Sequence, residues 1–263
     1  MTSQHDNPKP LAGWRVLVPR GGPWGDQVAA SLRSRGASPV VAPMINFAPT
    51  DDAPALEAAL TRLAAGEFDW MTVTSATTVD VLSSHRTLVP PTTRIAAVGE
   101  TTAAALIAAG YQVDIVPSED NSARGLLTEW EQATRGQVPL RVLTLRSEIA
   151  KPLLTEGLRR VGHDVESVVA YRTIGVPVDE RVVADVAAGR IHAVLVTSGS
   201  VAQQVQEQLG PIPESTLVAC IGPRTADDAS AAGLRVDIVA DDRSADSLIE
   251  ALVNARQSAL RDA

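Results

Sequence analysis

The sequence repeats itself, and a chain that repeats on this scale has to fold as two copies of one plan. Shifted by 123 residues, Val73-Thr74-Ser75 falls on Val196-Thr197-Ser198. In the same ungapped register Gly99-x-x-Thr102-Ala103 falls on Gly222-x-x-Thr225-Ala226. Ala108-Ala109-Gly110 falls on Ala231-Ala232-Gly233, and Val113-Asp114-Ile115-Val116 on Val236-Asp237-Ile238-Val239. Roughly a third of the positions from Asp69 to Val116 are identical, too many in one register for composition alone. A second register, offset by 126, joins the beginnings of the halves. It pairs Arg15-Val16-Leu17 with Arg141-Val142-Leu143, Arg20 with Arg146, Leu32 with Leu158 and Gly36 with Gly162.

Short β-branched runs predict strands at Val16–Val18, Val40–Val41, Trp70–Val73, Ile95–Val98 and Val113–Val116. The second half supplies Arg141–Leu145, Val165–Tyr171, Ala193–Val196, Leu217–Ile221 and Val236–Val239. Between them, alanine- and leucine-rich stretches such as Asp26–Arg35, Ala53–Ala65, Thr101–Ala109 and Ala226–Ala232 have helical spacing. Gly36, Gly110, Gly162 and Gly233 each follow such a stretch, where a left-handed residue ends a helix. Strand, helix and glycine in alternation define an α/β fold with parallel sheets covered by helices on both faces.

The repeat makes this two Rossmann-like lobes, related by internal duplication. Two extended segments, 39–50 and 164–177, hold equivalent places in the repeats and read as a two-stranded linker. The first lobe is then discontinuous, 11–42 plus 173–260, and the second is 48–168. Residues 1–10 read as a disordered tail. Two crossings still permit hinge closure.

At 263 residues each lobe can bury its own core. Aromatic residues are 3% of the chain and the net charge is −8, which excludes a stacking platform for bases and a general nucleic-acid binder. No apolar run approaches membrane-spanning length, and Met1–Pro10 lacks a basic-then-apolar leader pattern, so a cytoplasmic protein is expected. The single cysteine, Cys220, lies in the apolar run Leu217–Ile221 and reads as a buried core thiol. His5, His85, His163 and His192 are scattered without ligand spacing, so no metal site is expected.

The chemistry-bearing positions are the strand-to-helix corners. Thr74-Ser75-Ala76-Thr77-Thr78 and Thr197-Ser198-Gly199-Ser200 each follow a strand and open a helix, as do Gly99-Glu100-Thr101-Thr102 and Gly222-Pro223-Arg224-Thr225. Each hydroxyl taken alone is an ordinary helix N-cap. As a set they lie on the carboxyl edges of parallel sheets, where ligands bind, and helix N-termini suit carboxylates or phosphates. Two lobes facing one ligand rich in negative charge would follow. Arg20 and Arg146 end equivalent strands and are candidate anion contacts, with a solvated surface pair as the alternative. Arg20-Gly21-Gly22-Pro23-Trp24-Gly25 lacks the spacing of a P-loop or a dinucleotide fingerprint and reads as a flexible turn. Asp51-Asp52, Asp227-Asp228 and Asp241-Asp242 read as solvated. Tyr171, one of two tyrosines, sits on a proposed crossing strand, either as amphipathic filler or as a proton donor.

In order and spacing the chain resembles the uroporphyrinogen-III synthase family. The matching segments are Val16–Arg20, Phe68–Ser75, Ala97–Thr102, Val169–Thr173, Val196–Ser198, Ile221–Ala226 and Ser244–Leu248. The resemblance implies cofactor-free closure of hydroxymethylbilane, a linear tetrapyrrole polycarboxylate, into uroporphyrinogen III. The terminal ring inverts through a spiro intermediate and water is lost. It implies a lyase of tetrapyrrole and haem biosynthesis, acting as a monomer. Tyr171 matches the family tyrosine that assists loss of the hydroxyl. Ser75, Thr102, Ser198 and Thr225, with Gly99 and Gly222, match cleft-lining corners. Arg146 and Lys151 fall where the family has basic residues, although its usual glycine is Ser147 here. A two-lobed small-molecule binding or sensing protein is the alternative.

Overall fold

The computed structural model describes residues 9–261. The chain begins with β1 (Arg15–Val18), α1 (Gly22–Ser34) and β2 (Ser38–Val41). It continues through β3 (Ile45–Pro49), α2 (Ala53–Ala64), β4 (Trp70–Val73), α3 (Ala76–Ser84), β5 (Arg94–Ala97) and α4 (Glu100–Ala108). Then come α5 (Ala123–Thr134), β6 (Arg141–Ser147), α6 (Leu153–Arg160) and β7 (Asp164–Gly175). The last part holds α7 (Glu180–Ala187), β8 (Ala193–Val196), α8 (Gly199–Leu209), β9 (Leu217–Cys220), α9 (Pro223–Ala231), β10 (Ile238–Val239) and α10 (Ala245–Arg261).

Two compact units divide the chain: unit 1 is Met1–Asn46 with Ile174–Ala263, and unit 2 is Phe47–Thr173. Unit 1 holds a five-stranded sheet in the order β10-β9-β8-β1-β2, and unit 2 belongs with the order β3-β7-β6-β4-β5. The pairings β1–β2, β1–β8, β8–β9 and β9–β10 are parallel, as are β7–β6, β6–β4 and β4–β5. Each sheet is covered on both faces. In unit 1 one apolar cluster contains Leu17, Val194 and Val218 and another Val16, Leu195 and Ala219. In unit 2 the faces hold Met71 and Leu143 on one side and Trp70 and Val142 on the other.

The duplication is visible bond by bond. Val16 pairs with Ala193 in unit 1, and Val142 with Trp70 in unit 2, each residue displaced by one of the two sequence offsets. The buried Thr93 hydroxyl donates to the Phe68 carbonyl at 2.6 Å, and the buried Thr216 hydroxyl to the Ile191 carbonyl at 2.6 Å. Asp114 accepts the Ile95 N–H at 2.8 Å, and Asp237 the Val218 N–H at 2.8 Å. Where the residues differ the role persists: the Arg141 N–H donates to Asp69, and the Arg15 N–H to the Nδ1 of His192. Gly36, Gly110, Gly162 and Gly233 all have φ between 89° and 96°. Each ends its helix in a Schellman pair, for example Gly36 N–H to Arg33 and Ala37 N–H to Leu32.

Four expectations need correction. The Arg20–Gly25 segment is not a flexible turn, because α1 begins at Gly22 with Pro23 in its first turn. A Cβ on Gly25 would stand 2.2 Å from the Arg20 carbonyl, so this glycine lets the helix start close to the preceding strand. Val113–Val116 is not a strand; Ile115 makes a single bridge to Ala96, and Pro117, without an N–H, follows directly. Residues 39–41 are not linker, since they pair with β1 as part of β2; β3 and β7 are the strands that cross between the units. Residues 1–8 of the expected tail lie outside the described residues, but Pro10 does not: its carbonyl accepts from Arg256 at 3.0 Å.

Candidate functional site

Counted within unit 1, the strands run 2-1-3-4-5 across the sheet, so the direction of succession reverses between β1 and β8. In unit 2 the corresponding reversal lies between β6 and β4. Open parallel sheets bind ligands outside the carboxyl ends of the strands at such a reversal. The residues that leave those ends are Arg20 and Ser198 in unit 1, and Arg146 and Ser75 in unit 2. Sequence reasoning had selected all four.

In unit 2, Ser75 adopts an extended backbone (φ −155°, ψ 143°) and caps α3, its hydroxyl accepting the Thr77 N–H at 3.1 Å. The Tyr171 hydroxyl donates to the same Ser75 oxygen at 2.9 Å. Tyr171 is 6% exposed, and its ring meets Phe47 edge-on at 5.4 Å. A β-bulge aims it there. The β6–β7 register shifts between Arg146 and Ser147, so Ala170 and the following Tyr171 both enter the same apolar cluster. Tyr171 is therefore neither wet filler nor open to solvent.

Arg146 supports that bulge. Its guanidinium donates to the Ser167 hydroxyl at 3.1 Å and to the Ser147 and Glu148 carbonyls at 3.0 and 3.1 Å. It is half-buried, so it is tied to its own unit while keeping an outer edge in solvent. Lys151 is exposed on the loop that follows. Gly99 precedes α4 at φ +92°, which an L side chain resists, and Thr102 lies three residues on, 5% exposed.

Unit 1 repeats the corner without the phenol. Ser198 is extended, caps α8 by accepting the Val201 N–H at 3.3 Å, and lies 3.0 Å from the Ser200 hydroxyl. Gly222 precedes α9 with φ 174°, ordinary extended backbone, so the matched glycines do not share a conformation. Thr225 is 6% exposed, like Thr102. Arg20 sits over the Trp24 ring at 5.2 Å.

Each unit has a third corner: that of unit 1 lies in the Ser244–Leu248 segment quoted above without a site role, and that of unit 2, at Ser122, escaped the sequence reading. Ser122 caps α5, accepting the Arg124 and Gly125 N–H groups, and Ser244 accepts the Ser247 N–H as α10 begins. The signal was present as Ser122-Ala123-x-x-Leu126 against Ser244-Ala245-x-x-Leu248, one residue out of the main register. Arg124, Arg224 and Arg243 stand at the starts of α5, α9 and α10, all exposed and none ion-paired among the described residues. Cations at the positive end of a helix are unfavourable by about 0.3–1 kcal/mol, so three of them on carboxyl edges favour an anionic guest.

Elsewhere the chemistry is quiet. Among the described residues no group of three His, Cys, Asp or Glu is arranged to hold a metal ion. No helix among them is long and apolar enough to cross a membrane. Cys220 is fully buried, and desolvation pushes its thiol up to about 11. A groove of about 470 Å³ lies between α5 and α6 in unit 2, lined by Leu127, Trp130, Val138, Arg160 and His163. Its loops precede β6 and β7, so it opens at the amino edge of that sheet, away from the unit 2 residues selected above.

Residues 26–250 match the family model described as uroporphyrinogen-III synthase HemD. The chain is 29% identical over 171 residues to a uroporphyrinogen-III synthase of Synechococcus elongatus, covering 63% of this chain and 62% of that one. It is 27% identical over 253 residues to the porphyrin biosynthesis protein HemD of Ruminiclostridium josui, covering 93% of this chain and 49% of that one. It thus spans less than two thirds of either relative's length. Among solved structures, a mutant uroporphyrinogen III synthase of Thermus thermophilus superposes with a TM-score of 0.64 at 19% identity, over 93% of this chain and 99% of that one. The uroporphyrinogen-III synthetase of Helicobacter pylori gives 0.62 at 17% identity, over 92% and 99%. These two likenesses concern the fold.

Proposed function

This chain belongs to the uroporphyrinogen-III synthase family, and from that membership we propose that it closes hydroxymethylbilane into uroporphyrinogen III. The observation that carries the reading is the corner that both units repeat, Ser75 before α3 and Ser198 before α8, with a phenol bonded to one copy only.

The substrate is a chain of four pyrroles, each bearing acetate and propionate arms. Carboxylates are what helix N-termini and neighbouring arginines hold best. In this reading the helix starts of α3, α4 and α5 in unit 2 suit carboxylate arms, and those of α8, α9 and α10 in unit 1 have the same chemistry. Arg20, Arg124, Arg146, Lys151, Arg224 and Arg243 supply positive charge. Gly99 and Gly222 let backbone N–H groups approach the arms. Thr102 and Thr225, nearly buried, shape those helix starts from beneath.

The reaction makes its own reactants. Loss of the hydroxyl as water leaves an electrophilic azafulvene, and a pyrrole carbon of the same molecule attacks it. No redox change or external nucleophile is needed, which is why the chain works without a cofactor. Closure at the free terminal carbon gives the type I isomer. Attack through the substituted carbon, by way of a spiro intermediate, inverts the last ring and gives type III. Selecting between two carbons of one bound molecule is catalysis by orientation, for which many weak holds on the arms are suited. The departing hydroxyl needs a proton, and the Tyr171–Ser75 pair is the group placed to supply it. The protein acts as a cytoplasmic monomer, in tetrapyrrole synthesis, and without nucleic acid or membrane.

The test is the rate at which purified protein consumes fresh hydroxymethylbilane in chelator-treated buffer with no nucleotide added. Consumption faster than spontaneous closure is expected. Binding without acceleration would instead mark a tetrapyrrole-binding protein.

A further inference from the structure

Tyr171 and Ser75 are 96 residues apart in sequence, yet their oxygens lie 2.9 Å apart. A phenol is a much better proton donor than an aliphatic alcohol, so the phenol donates and the serine accepts. Ser75 also accepts the Thr77 N–H at 3.1 Å. A hydroxyl has two acceptor positions and one proton to give. Both acceptor positions are filled from within unit 2, so the Ser75 O–H is turned away from Tyr171 and from α3. Exposure points the same way: Tyr171 is 6% exposed against Phe47, while Ser75 is half-buried at the carboxyl edge. An accepted bond from a phenol also polarises the alcohol and makes it a better donor.

We propose that Ser75 is the catalytic residue that hands the proton to the departing hydroxyl, with Tyr171 the positioning residue that resupplies it. This rests on the family reaction proposed above and deepens it. The carbon–oxygen bond of the hydroxymethyl group breaks with its electron pair on oxygen, which takes the Ser75 proton and leaves as water. Ser75 takes the Tyr171 proton in the same movement. The proton released by the terminal ring after its new carbon–carbon bond forms returns through Ser75 to the phenolate, and the pair ends as it began. Unit 1 has the cap at Ser198 but a serine in place of the phenol partner, so the relay assigns the acid step to unit 2 and leaves unit 1 to hold the substrate.

Because Ser75 caps α3, an alanine variant would mix capping with chemistry. Asparagine caps a helix as well as serine but has no hydroxyl, whereas threonine keeps both functions. Ser75→Thr should recover most of the kcat that Ser75→Asn loses. Ser75→Asn should lose about a hundredfold in kcat, the lower end for general acid help, with KM little changed and an unaltered melting temperature. Adding Tyr171→Phe to Ser75→Asn should cost little more, since one path is already broken. An asparagine variant at full rate, or a Tyr171→Phe loss that adds in full to the asparagine loss, overturns the relay. If the threonine variant fails to fold, the asparagine and phenylalanine pair decides alone. If the unaltered protein forms no type III product, the family reaction fails and the relay with it. If type III forms and asparagine is harmless, only the relay fails.

Discussion

Single residues carry more of this fold's logic than their side chains suggest. Gly36 and Gly110 end helices with φ of 90° and 89°, so alanine at either would be strained by about 1–2 kcal/mol. Their surroundings differ. A Cβ on Gly110 meets nothing within 4 Å, while one on Gly36 meets the Lys9 Cβ at 2.7 Å and Ala12 at 3.2 Å. Urea denaturation should therefore show Gly36→Ala as the more damaging change, and equal losses would contradict the packing argument. His163 gives a second test. Burial holds its imidazole below the ordinary value of 6.5. Both ring nitrogens also face donors, Trp130 Nε1 at 2.8 Å and the Leu140 N–H at 3.2 Å; the neutral ring can accept from one of them, and a second ring proton would remove that last acceptor. The unfolded chain has no such constraint. Below 6.5 it binds a proton that the fold refuses, so stability is lost as pH falls through that value. Unfolding free energies at about pH 7.5 and about pH 5.5 should drop less for His163→Gln than for the unaltered protein. Parallel drops would mean that His163 is not the titrating group.

Elements show where sequence reasoning succeeded and where it could not. Ser122 satisfies two first-turn N–H groups of α5, so Ser122→Ala should cost about 1 kcal/mol in stability; no loss in a thermal melt would remove its capping role. The strands β4 and β8 and the four glycine-ended helices were legible because period and punctuation are local signals. Val113–Val116 misled because it copies Val236–Val239, yet the copied segment contributes only the two-residue β10. At both edges an aspartate side chain, Asp114 or Asp237, takes a strand N–H that a longer ladder would have used. The start of α1 was missed because glycine and proline usually end regular structure; here Gly25 is required by the nearness of the Arg20 carbonyl, which only the folded chain shows. Ser75 and Tyr171 could each be singled out from the sequence. Their bond could not, since it depends on the order β7-β6-β4 and on one bulge.

At the scale of the molecule, a duplicated plan is divided unevenly along the chain. Unit 2 is one continuous stretch, 47–173, whereas unit 1 is assembled from both ends. Each unit buries its own clusters on both sheet faces, and none of the four main clusters draws residues from both. Residues 47–173 expressed alone should thus unfold in a single cooperative transition, while a non-cooperative melt would make unit 2 dependent on unit 1. The two copies have kept their corners and diverged around them: unit 2 has the Tyr171–Ser75 pair, unit 1 the Ser198–Ser200 pair. In the proposed reaction the product is decided by how the flexible polyanion is oriented, more than by any single acid. Chromatographic separation of the isomers formed from fresh hydroxymethylbilane measures this directly. With the protein present, type III should predominate over type I; a mixture no richer in type III than spontaneous closure gives would contradict the account.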